Sequence, residues 1–418
     1  MQIQTRRLGT ICAIVFTLQG LAWAQSSGSG NIAGVVRDTT GAVLPGVTVE
    51  AASPALIEKV RTVTTDEQGE YKIVDLRPGS YTVTFTLVGF SSVRREGIEL
   101  TTGFTSTVHG ELKVGAVEET VTVTGASPVV DTQNVRSQTV LNRDLLDTLP
   151  TAKTFSAFMS LVPGASGGAG RDVGGSKGEG FAHLQIHGNG YGFLTFDGLR
   201  VNSLSAGSNH RIYMNQLFVQ EVVLETGGIS ADSQSGGLNV NAVPKDGGNT
   251  FRGVAVGEYT NKRLQSNNLT DELRARGLTR TTRFSYIYDA GAGLGGPIAK
   301  DKLWFYTAFR KWDSANALAG VYYNKLHGTP FYEPDLTRPG TEAFFQRDFS
   351  GRVTWAVNQH HKITFTNSNQ DLCLCWFNLG SGTMSPEGAI SIHYRPNNSA
   401  QVGWTYPASS SDDWLGST

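Results

Sequence analysis

The 418-residue chain is poor in cysteine and methionine and has almost no net charge. It contains 3 Cys and 4 Met, and its 35 basic residues nearly balance its 36 acidic residues, for a formal charge of −1. A general nucleic-acid binder carries a larger excess of positive charge, so no nucleic-acid partner is expected. Beyond Gln25 there is no apolar run of about 18 residues, which excludes a transmembrane helix but leaves membrane-spanning strands possible.

Catalytic and metal-binding motifs are also missing. The chain has no H-E-x-x-H, and its glycine-rich stretch GASGGAGRDVGGSKGEG has no G-K-[ST], so neither a zinc peptidase site nor a phosphate-binding loop is predicted. His183 and His187 are more typical of ordinary surface histidines than of a metal pair. We therefore expect no enzyme activity, no catalytic residue, no metal site and no cofactor.

The cysteines are too few for a disulfide framework. Cys12 lies in the N-terminal apolar segment, which leaves Cys373 and Cys375 in DLCLCWF. Their spacing places both side chains on one face of a strand. The sequence leaves open a local disulfide or two thiols on a loop, and a metal site would need more ligands.

The N-terminus has the pattern of an export signal. Arg6 and Arg7 precede an apolar segment from Leu8 to Leu21, and Ala22-Trp23-Ala24 forms a cleavage site before Gln25. Residues 1–24 are therefore predicted to be a cleaved signal peptide. The remaining chain is rich in what short strands and loops use, with 50 Gly, 20 Phe, 13 Tyr and 7 Trp.

Seven strand-like runs follow a flexible leader. They are NIAGVVRD, GVTVEAAS, KVRTVTT, EYKIVDL, SYTVTFTLVGF, GIELTT and STVHGEL. Turn sequences separate them, which predicts a small antiparallel seven-stranded β-sandwich over residues 30–114. DEQG is predicted to form a hairpin with Gly69 at positive φ, and Pro78-Gly79 to turn the next pair.

These runs resemble the carboxypeptidase regulatory-like domain, a β-sandwich that is not itself a peptidase. The pattern is carried by Gly34, Asp38, Gly41, Pro45, Gly46, Asp66, Gly69, Tyr71, Pro78, Gly79, Tyr81, Gly89 and Phe90. The resemblance covers Asn31 to about Val114. Such a module could bind carbohydrate or extend a periplasmic arm, and the sequence favours neither role.

The region 126–248 resembles the plug domain of TonB-dependent outer-membrane receptors, most closely the Oar-like branch in which a sandwich precedes the plug. A segment of helical periodicity, broken by Pro150, comes before strands that alternate with glycine turns. The plug-motif residues are Ile186, Gly188, Asp197, Gly198, Glu221, Gly236, Gly237 and Asn239. His187 stands where the common pattern has Arg, and Thr226-Gly227 where it has Arg-Gly-Pro.

Between sandwich and plug lies the stretch EETVTVTGASPVVDT, in which Thr120 to Thr124 alternate Thr and Val. In TonB-dependent receptors this position carries the TonB box. The resemblance therefore assigns residues 118–125 as a coupling segment that a periplasmic TonB-type protein captures by strand addition, through Glu119, Thr120, Val121, Thr122, Val123 and Thr124. The alternative is that the segment forms the last strand of the sandwich or a strand of the plug.

Residues 249–418 show the alternation of a transmembrane barrel wall. Apolar and aromatic residues such as Phe349, Val353 and Trp355 alternate with small or polar ones such as Ser350 and Arg352. Trp304, Phe305 and Tyr306 beside a turn suggest an interfacial girdle. Short links (GGPIAKDK, VNQHH, PASSSDD) alternate with long ones from Asn261 to Thr281, Asp313 to Phe345 and Asp371 to Gly388.

The predicted fold class is mainly β: a sandwich, an α+β plug and the first strands of an incomplete barrel. About six or seven strands fit after Thr250, whereas receptors of the resembled family have 22, so the chain is expected to be a fragment or a truncated gene product. The implied function is energy-coupled uptake of an unknown ligand, such as a carbohydrate or peptide, across the outer membrane, with membrane lipid around the wall. The alternative is a secreted or surface-anchored adhesion or carbohydrate-binding protein built on the sandwich.

Overall fold

The structure is a computed structural model, and it describes most of the chain between Ser29 and Thr405. The described ranges are 29–56, 59–115, 120–124, 137–149, 154, 157–158, 161–166, 185–187, 192–202, 212–228, 237–278, 280–358, 361–379 and 384–405. The predicted signal peptide, Glu119, Gly188 and Gly236 lie outside them. No helix among the described residues is long and apolar enough to cross a membrane.

The first body is a β-sandwich of two sheets. One sheet contains β1 (Gly30–Asp38), β4 (Glu70–Leu76), β7 (Thr105–Thr107) and β8 (Gly110–Leu112), with β1 in its centre. The other has the order β3 (Val60–Thr64), β2 (Thr48–Ala52), β5 (Gly79–Thr86), β6 (Ser92–Leu100) and β9 (Thr120–Thr124). Tyr81, Val83 and Phe85 alternate with threonines along β5 and are buried between the sheets, as the period of two requires.

The sandwich differs from the sequence prediction in strand number and direction. The run STVHGEL forms two short strands instead of one, so residues 30–112 contain eight strands and not seven. Both short strands run parallel to β1, and β9 runs parallel to β6, so the sandwich is not wholly antiparallel. A local pattern sets which face a residue occupies but not the direction of a partner that is distant along the chain.

The predicted DEQG hairpin is also wrong, because β3 and β4 belong to different sheets. The turn itself has the expected chemistry. Asp66 Oδ1 accepts hydrogen bonds from the backbone N–H groups of Gln68 and Glu70, and Gly69 has a φ of 71°. A side chain at Gly69 would also approach the carbonyl oxygen of Val36 to 2.8 Å. This link therefore crosses from one sheet to the other, as does the link through Pro78-Gly79.

The second body, called the plug here, is built on a five-stranded sheet. Its order is β10 (Ser137–Leu141), β15 (Val219–Gly227), β16 (Asn239–Pro244), β13 (Phe193–Phe196) and β14 (Leu199–Arg200). The pair β11 (Ala165–Ser166) and β12 (Gln185–Ile186) and helix α1 (Arg143–Thr148) complete it. Asn142 caps α1 by accepting a hydrogen bond from the Leu145 N–H, and Leu146 packs into the core.

The third body, called the wall, is a six-stranded antiparallel meander. Its strands in order are β17 (Arg252–Asn261), β18 (Arg283–Ala299), β19 (Leu303–Asn324), β20 (Pro334–Ala356), β21 (Lys362–Phe377) and β22 (Ile390–Thr405), and a short helix α2 (Asp271–Ala275) lies between β17 and β18. The six strands found up to Thr405, the last described residue, agree with the prediction of about six or seven. Short turns at 300–302 and 357–361 lie at one end of the wall, and longer links lie at the other.

Two details of the wall prediction are wrong. The sequence predicts a link from Asp313 to Phe345, but β19 and β20 extend through most of it and leave residues 325–333. In the same way β21 extends to Phe377, into the predicted link from Asp371 to Gly388. Trp304 and Tyr306 are buried on the inner face, and only Phe305 points outward, so the three do not form a girdle. Consecutive strand residues cannot share a face.

The two faces of the wall have opposite character. The outer face exposes large apolar side chains: Leu294, Phe309, Phe349, Val353, Trp355, Phe365, Val402 and Trp404. The inner face packs against the plug and buries polar side chains, including Asp289, Arg310, Gln346, Asp348, Ser350, Arg352, Thr354, Thr366, Ser368 and Gln370. This polar inner face positions the plug.

Candidate functional site: the plug–wall interface and the coupling strand

The predicted site residues do not form one cluster. Thr120–Thr124 form β9 on the sandwich, while Ile186 lies buried in the plug core. Asp197 and Gly198 form a turn against the wall. Glu221 faces the sandwich, and Gly237 and Asn239 lie at the start of β16. The motif therefore marks several contacts of the plug, of which the wall contact is the most polar.

The coupling strand lies at the edge of a sheet. β9 pairs with β6 in parallel register from Ser92↔Thr120 to Glu96↔Thr124, and β6 is its only neighbour among the described strands. This pairing agrees with the alternative in which the segment is the last strand of the sandwich. It also leaves one edge of β9 available for strand addition. Capture by a partner stays a prediction.

The Asp197 turn is shaped by backbone conformation and held by β16. Asp197 and Gly198 both have positive φ, at 50° and 78°, as a type I′ hairpin turn requires. Asn241 Oδ1 accepts hydrogen bonds from Thr195 Oγ1 at 2.9 Å and from the Gly198 N–H at 3.2 Å. The D-G pair of the motif thus aims one carboxylate away from the plug sheet and at the wall.

Arg352 on the wall receives that carboxylate and a second one. Its Nη1 lies 2.6 Å from Asp197 Oδ2, and its Nε lies 2.9 Å from Asp246 Oδ1. Thr354 Oγ1 also donates to Asp246 Oδ1, at 2.6 Å. The Arg352 side chain is 9% exposed, so this charge is almost fully removed from water and depends on both carboxylates.

The sandwich joins the same ion cluster. Arg77 Nη1 lies 3.0 Å from Asp246 Oδ2, and Lys362 of the wall lies 4.0 Å from Asp75. Burial alone would raise the pKa of Asp246, but the guanidinium groups of Arg352 and Arg77 hold it well below its usual range. Sandwich, plug and wall therefore meet at one charged carboxylate.

A second polar cluster lies further along the inner face. Asp348 accepts hydrogen bonds from Asn215 Nδ2 at 2.6 Å, Ser350 Oγ at 2.8 Å, Ser368 Oγ at 3.0 Å and Gln370 Nε2 at 2.8 Å. Gln370 in turn accepts from the Tyr213 N–H and donates to the Tyr213 carbonyl. The polar contacts of this cluster hold the plug segment 213–218 through the backbone of Tyr213 and the amide side chain of Asn215.

The same plug segment contacts β19. Arg310 forms a bidentate ion pair with Asp289, closest at 2.6 Å, and its Nη1 donates to the Met214 carbonyl at 3.3 Å. Tyr306 Oη donates to the Leu217 carbonyl at 2.8 Å. The wall therefore presents fixed donors to two carbonyl groups of the plug segment. The same segment also makes apolar contacts, because Tyr213 packs against Trp312 and Phe344, and Leu217 and Phe218 pack against Tyr306 and Ala308.

Glu221 is the buried titratable group at the contact between plug and sandwich. Its side chain is 2% exposed, and its Oε1 accepts a hydrogen bond from the Thr102 N–H at 3.1 Å. Burial raises the pKa of Glu221 to about 7, although the hydrogen bonds from Thr102 act in the opposite direction. The charge of this contact therefore changes near neutral pH.

Sequence analysis did not identify most of the residues that form the polar contacts between sandwich, plug and wall. These are Arg77, Asn215, Asp246, Arg310, Asp348, Arg352 and Gln370. The signal for β20 was present as Asp348, Ser350, Arg352 and Thr354, four polar residues at every second position. This alternation marks the polar face of a strand, but it does not identify the residues that this face contacts. Asp197, Asn215 and Asp246 each lie more than a hundred residues away from their partners in β20.

Comparisons with known proteins agree with the two resemblances. Residues 31–113 match the carboxypeptidase regulatory-like domain. The TonB-dependent transporter Oar of Myxococcus xanthus is 30% identical over 387 residues, covering 86% of this chain and 35% of that protein. The chain thus spans about a third of the length of the curated relative that it matches. The predicted similarity to an Oar-type TonB-dependent transporter is confirmed.

Solved structures that are similar to this one include the following two. The siderophore receptor PirA from Acinetobacter baumannii gives a TM-score of 0.40 at 19% identity, covering 57% of this chain and 32% of that chain. The FpvA structure from Pseudomonas aeruginosa gives a TM-score of 0.37 at 12% identity, covering 58% of this chain and 26% of that chain.

Removing the Arg352 cation should loosen the plug. In Arg352→Met the carboxylates of Asp197 and Asp246 remain buried without their shared partner, which costs about 3–5 kcal/mol when one member of a buried pair is lost. Hydrogen exchange of the amides around both residues should accelerate. Arg347→Met is the matched control, because Arg347 lies on the exposed face of the same strand. Equal exchange in the two variants would contradict the assigned role of Arg352.

The Glu221 contact should weaken as the pH rises. Its folded-state pKa lies above the ordinary value of 4.5, so the folded state binds the proton more tightly, and stability falls between about pH 4.5 and about pH 7 by up to about 3 kcal/mol. The measurement is the opening free energy of the Thr102 amide from hydrogen exchange across this range. Glu221→Gln should abolish the slope, whereas Glu225→Gln on the same strand should keep it. A slope that survives in Glu221→Gln would refute the assignment.

Proposed function

We propose that this chain acts in TonB-dependent transport across a bacterial outer membrane. In this proposal the wall lies in lipid, the plug occupies its inner side, and the sandwich extends into the periplasm. The division into signal peptide (1–24), sandwich (30–114), coupling segment (118–125), plug (126–248) and barrel part (249–418) belongs to the same proposal. No catalytic step is part of it.

One observation carries the proposal: a plug held on the polar face of a sheet whose opposite face is apolar. A water-soluble protein has no reason to expose Phe349, Trp355, Val402 and Trp404 along one sheet face. A lipid-facing wall requires that arrangement. The short turns at 300–302 and 357–361 lie at the end where the sandwich contacts the wall, through Lys59–Asp301 and Lys362–Asp75, as expected for the periplasmic end.

The chemistry of the plug contacts supports reversible displacement. Besides two apolar clusters around Tyr213 and Phe218, they include ion pairs and hydrogen bonds, such as Arg352–Asp197 and Asn215–Asp348, whose groups water can solvate when the plug leaves. A plug buried through a large apolar surface would expose that surface each time it moved. Polar docking therefore suits a part that is both ordered at rest and removable under force.

The coupling segment would act by strand addition. Five residues, Thr120–Thr124, offer about five backbone hydrogen bonds to the edge strand of a TonB-type periplasmic protein, each contributing about 0.5–1.5 kcal/mol net. A partner either adds to the open edge of β9 or replaces β6 as its neighbour. In the first case the pull acts on the sandwich, which contacts the plug at Glu221 and Asp246.

The transported ligand is not specified by these contacts. The similarity to Oar supports the class of transporter. An adhesion or carbohydrate-binding role for the sandwich shares its fold but does not explain the apolar outer face of the wall.

Backbone substitutions in β9 test the coupling role. Val121→Pro and Val123→Pro each remove an N–H that strand addition uses, so they should abolish binding of the purified periplasmic domain of the host's TonB-type protein, measured by calorimetry. Val121→Ala and Val123→Ala keep the N–H and should bind nearly as well as the wild type. If all four variants bind like the wild type, β9 is not the coupling segment.

A further inference from the structure

Three side chains that can bind a metal ion lie close together on the wall, at the end opposite the short turns. Cys373 and Cys375 lie on β21, and their sulfur atoms are joined in a disulfide. β22 places His393 directly across from Cys373 in the strand register, with His393 Nε2 3.6 Å from Cys373 Sγ. The potential ligand atoms of all three residues lie within 4.8 Å of one another.

We propose that Cys373, Cys375 and His393 form a redox-gated binding site for a thiophilic d¹⁰ cation such as Zn²⁺ or Cu⁺. With the disulfide closed the site has one ligand, the imidazole. With the disulfide reduced it has three, two thiolates and an imidazole nitrogen, which is the donor set that zinc and cuprous ions favour.

The distance between Cys373 and His393 already fits a shared metal ion. In tetrahedral coordination, Zn–S of about 2.3 Å and Zn–N of about 2.0–2.1 Å place sulfur and nitrogen about 3.6 Å apart. The observed separation is 3.6 Å. Two thiolates on one zinc ion lie about 3.8 Å apart by the same geometry, far beyond a covalent bond, so metal binding and the disulfide exclude each other.

The site lies on the outer face of the wall and not against the plug. Gln370 contacts the plug through Tyr213, and Leu372 packs in the same inner cluster, so Cys373 and Cys375 lie on the other face by strand alternation. Phe345 packs beside the His393 ring, with 6.3 Å between ring centroids. His393 is exposed and Cys375 is half-buried, which leaves access for a cation and room for a water molecule as fourth ligand.

The redox step is a thiol–disulfide exchange. A small dithiol reductant attacks the Cys373–Cys375 bond and supplies two electrons and two protons, forming two thiols here and a disulfide in the reductant. The cation then displaces the two thiol protons as it binds. In the reverse exchange a small-molecule disulfide takes up the two electrons and is cleaved to thiols, the Cys373–Cys375 bond re-forms, and the cation is released. That this end of the wall lies beyond the lipid, on the extracellular side, rests on the proposed membrane orientation, but metal binding itself does not.

The sequence alone predicts no metal site. Two cysteines at i and i+2 offer too few ligands, and His393 lies 18 residues after Cys375 with a link between them. Only the register of β21 with β22 brings the imidazole to the sulfur. His361, beside the start of β21, stacks on Trp404 instead.

Titration of the whole chain with Cd²⁺ in detergent tests the proposal, because cadmium thiolates have a distinct ultraviolet charge-transfer absorption. Protein treated with a dithiol and then freed of it should bind one Cd²⁺ per chain with that absorption, and oxidised protein should not. Cys375→Ser and His393→Ala should each weaken binding by at least about tenfold. His327→Ala, an exposed histidine in the 325–333 link, should leave affinity unchanged.

Competition with Zn²⁺ gives a second measurement that does not depend on absorption. Reduced wild-type chain should take zinc from a chromogenic chelator in a one-to-one ratio, and oxidised chain should not. Unchanged affinity in His393→Ala would overturn the three-ligand site, and equal binding by oxidised and reduced chain would overturn the redox gate. Because Cys373 is buried, the exposed His393 variant and the half-buried Cys375 variant carry the test without disturbing the core.

Discussion

The alternation of side chains along the wall strands is the constraint on which the rest of this structure depends. Because neighbouring residues point to opposite faces, one strand such as β20 presents Phe349, Val353 and Trp355 on one side and Asp348, Ser350 and Arg352 on the other. The apolar side suits lipid, and the polar side provides the donors and acceptors that hold the plug. A shift of one residue in register would exchange the two faces.

The ion cluster around Asp246 couples the three bodies. Arg77 comes from the sandwich, Asp197 and Asp246 from the plug and its exit, and Arg352 from the wall. The sandwich also reaches the plug at Thr102–Glu221 and carries β9 on its edge. The sandwich, which carries β9, therefore has two polar contacts to the plug, and in the proposed transport it would transmit a force from β9 to the plug.

Much of the architecture could be predicted from sequence, since it depends on local signals. Turn chemistry such as Asp66 with Gly69, the Asp197-Gly198 pair and the two-residue period of the wall mark strands and faces within a few residues. Strand direction and partner choice depend on distant contacts, which explains the parallel β7 and β8 and the wrong DEQG hairpin. The contacts of Arg352 and His393 could not be predicted for the same reason, because sheet register and the docking of the plug determine their partners.

The lipid-facing assignment of the outer face is tested most directly by tryptophan quenching with brominated lipids. Trp355 and Trp404 lie on the outer face, whereas Trp304 and Trp312 are buried on the inner face. Brominated lipid should reduce the tryptophan fluorescence of the wild type. This reduction should be much smaller in Trp355→Phe and Trp404→Phe, and nearly unchanged in Trp304→Phe and Trp312→Phe. Quenching that depends on Trp304 and Trp312 and not on Trp355 and Trp404 would contradict the account.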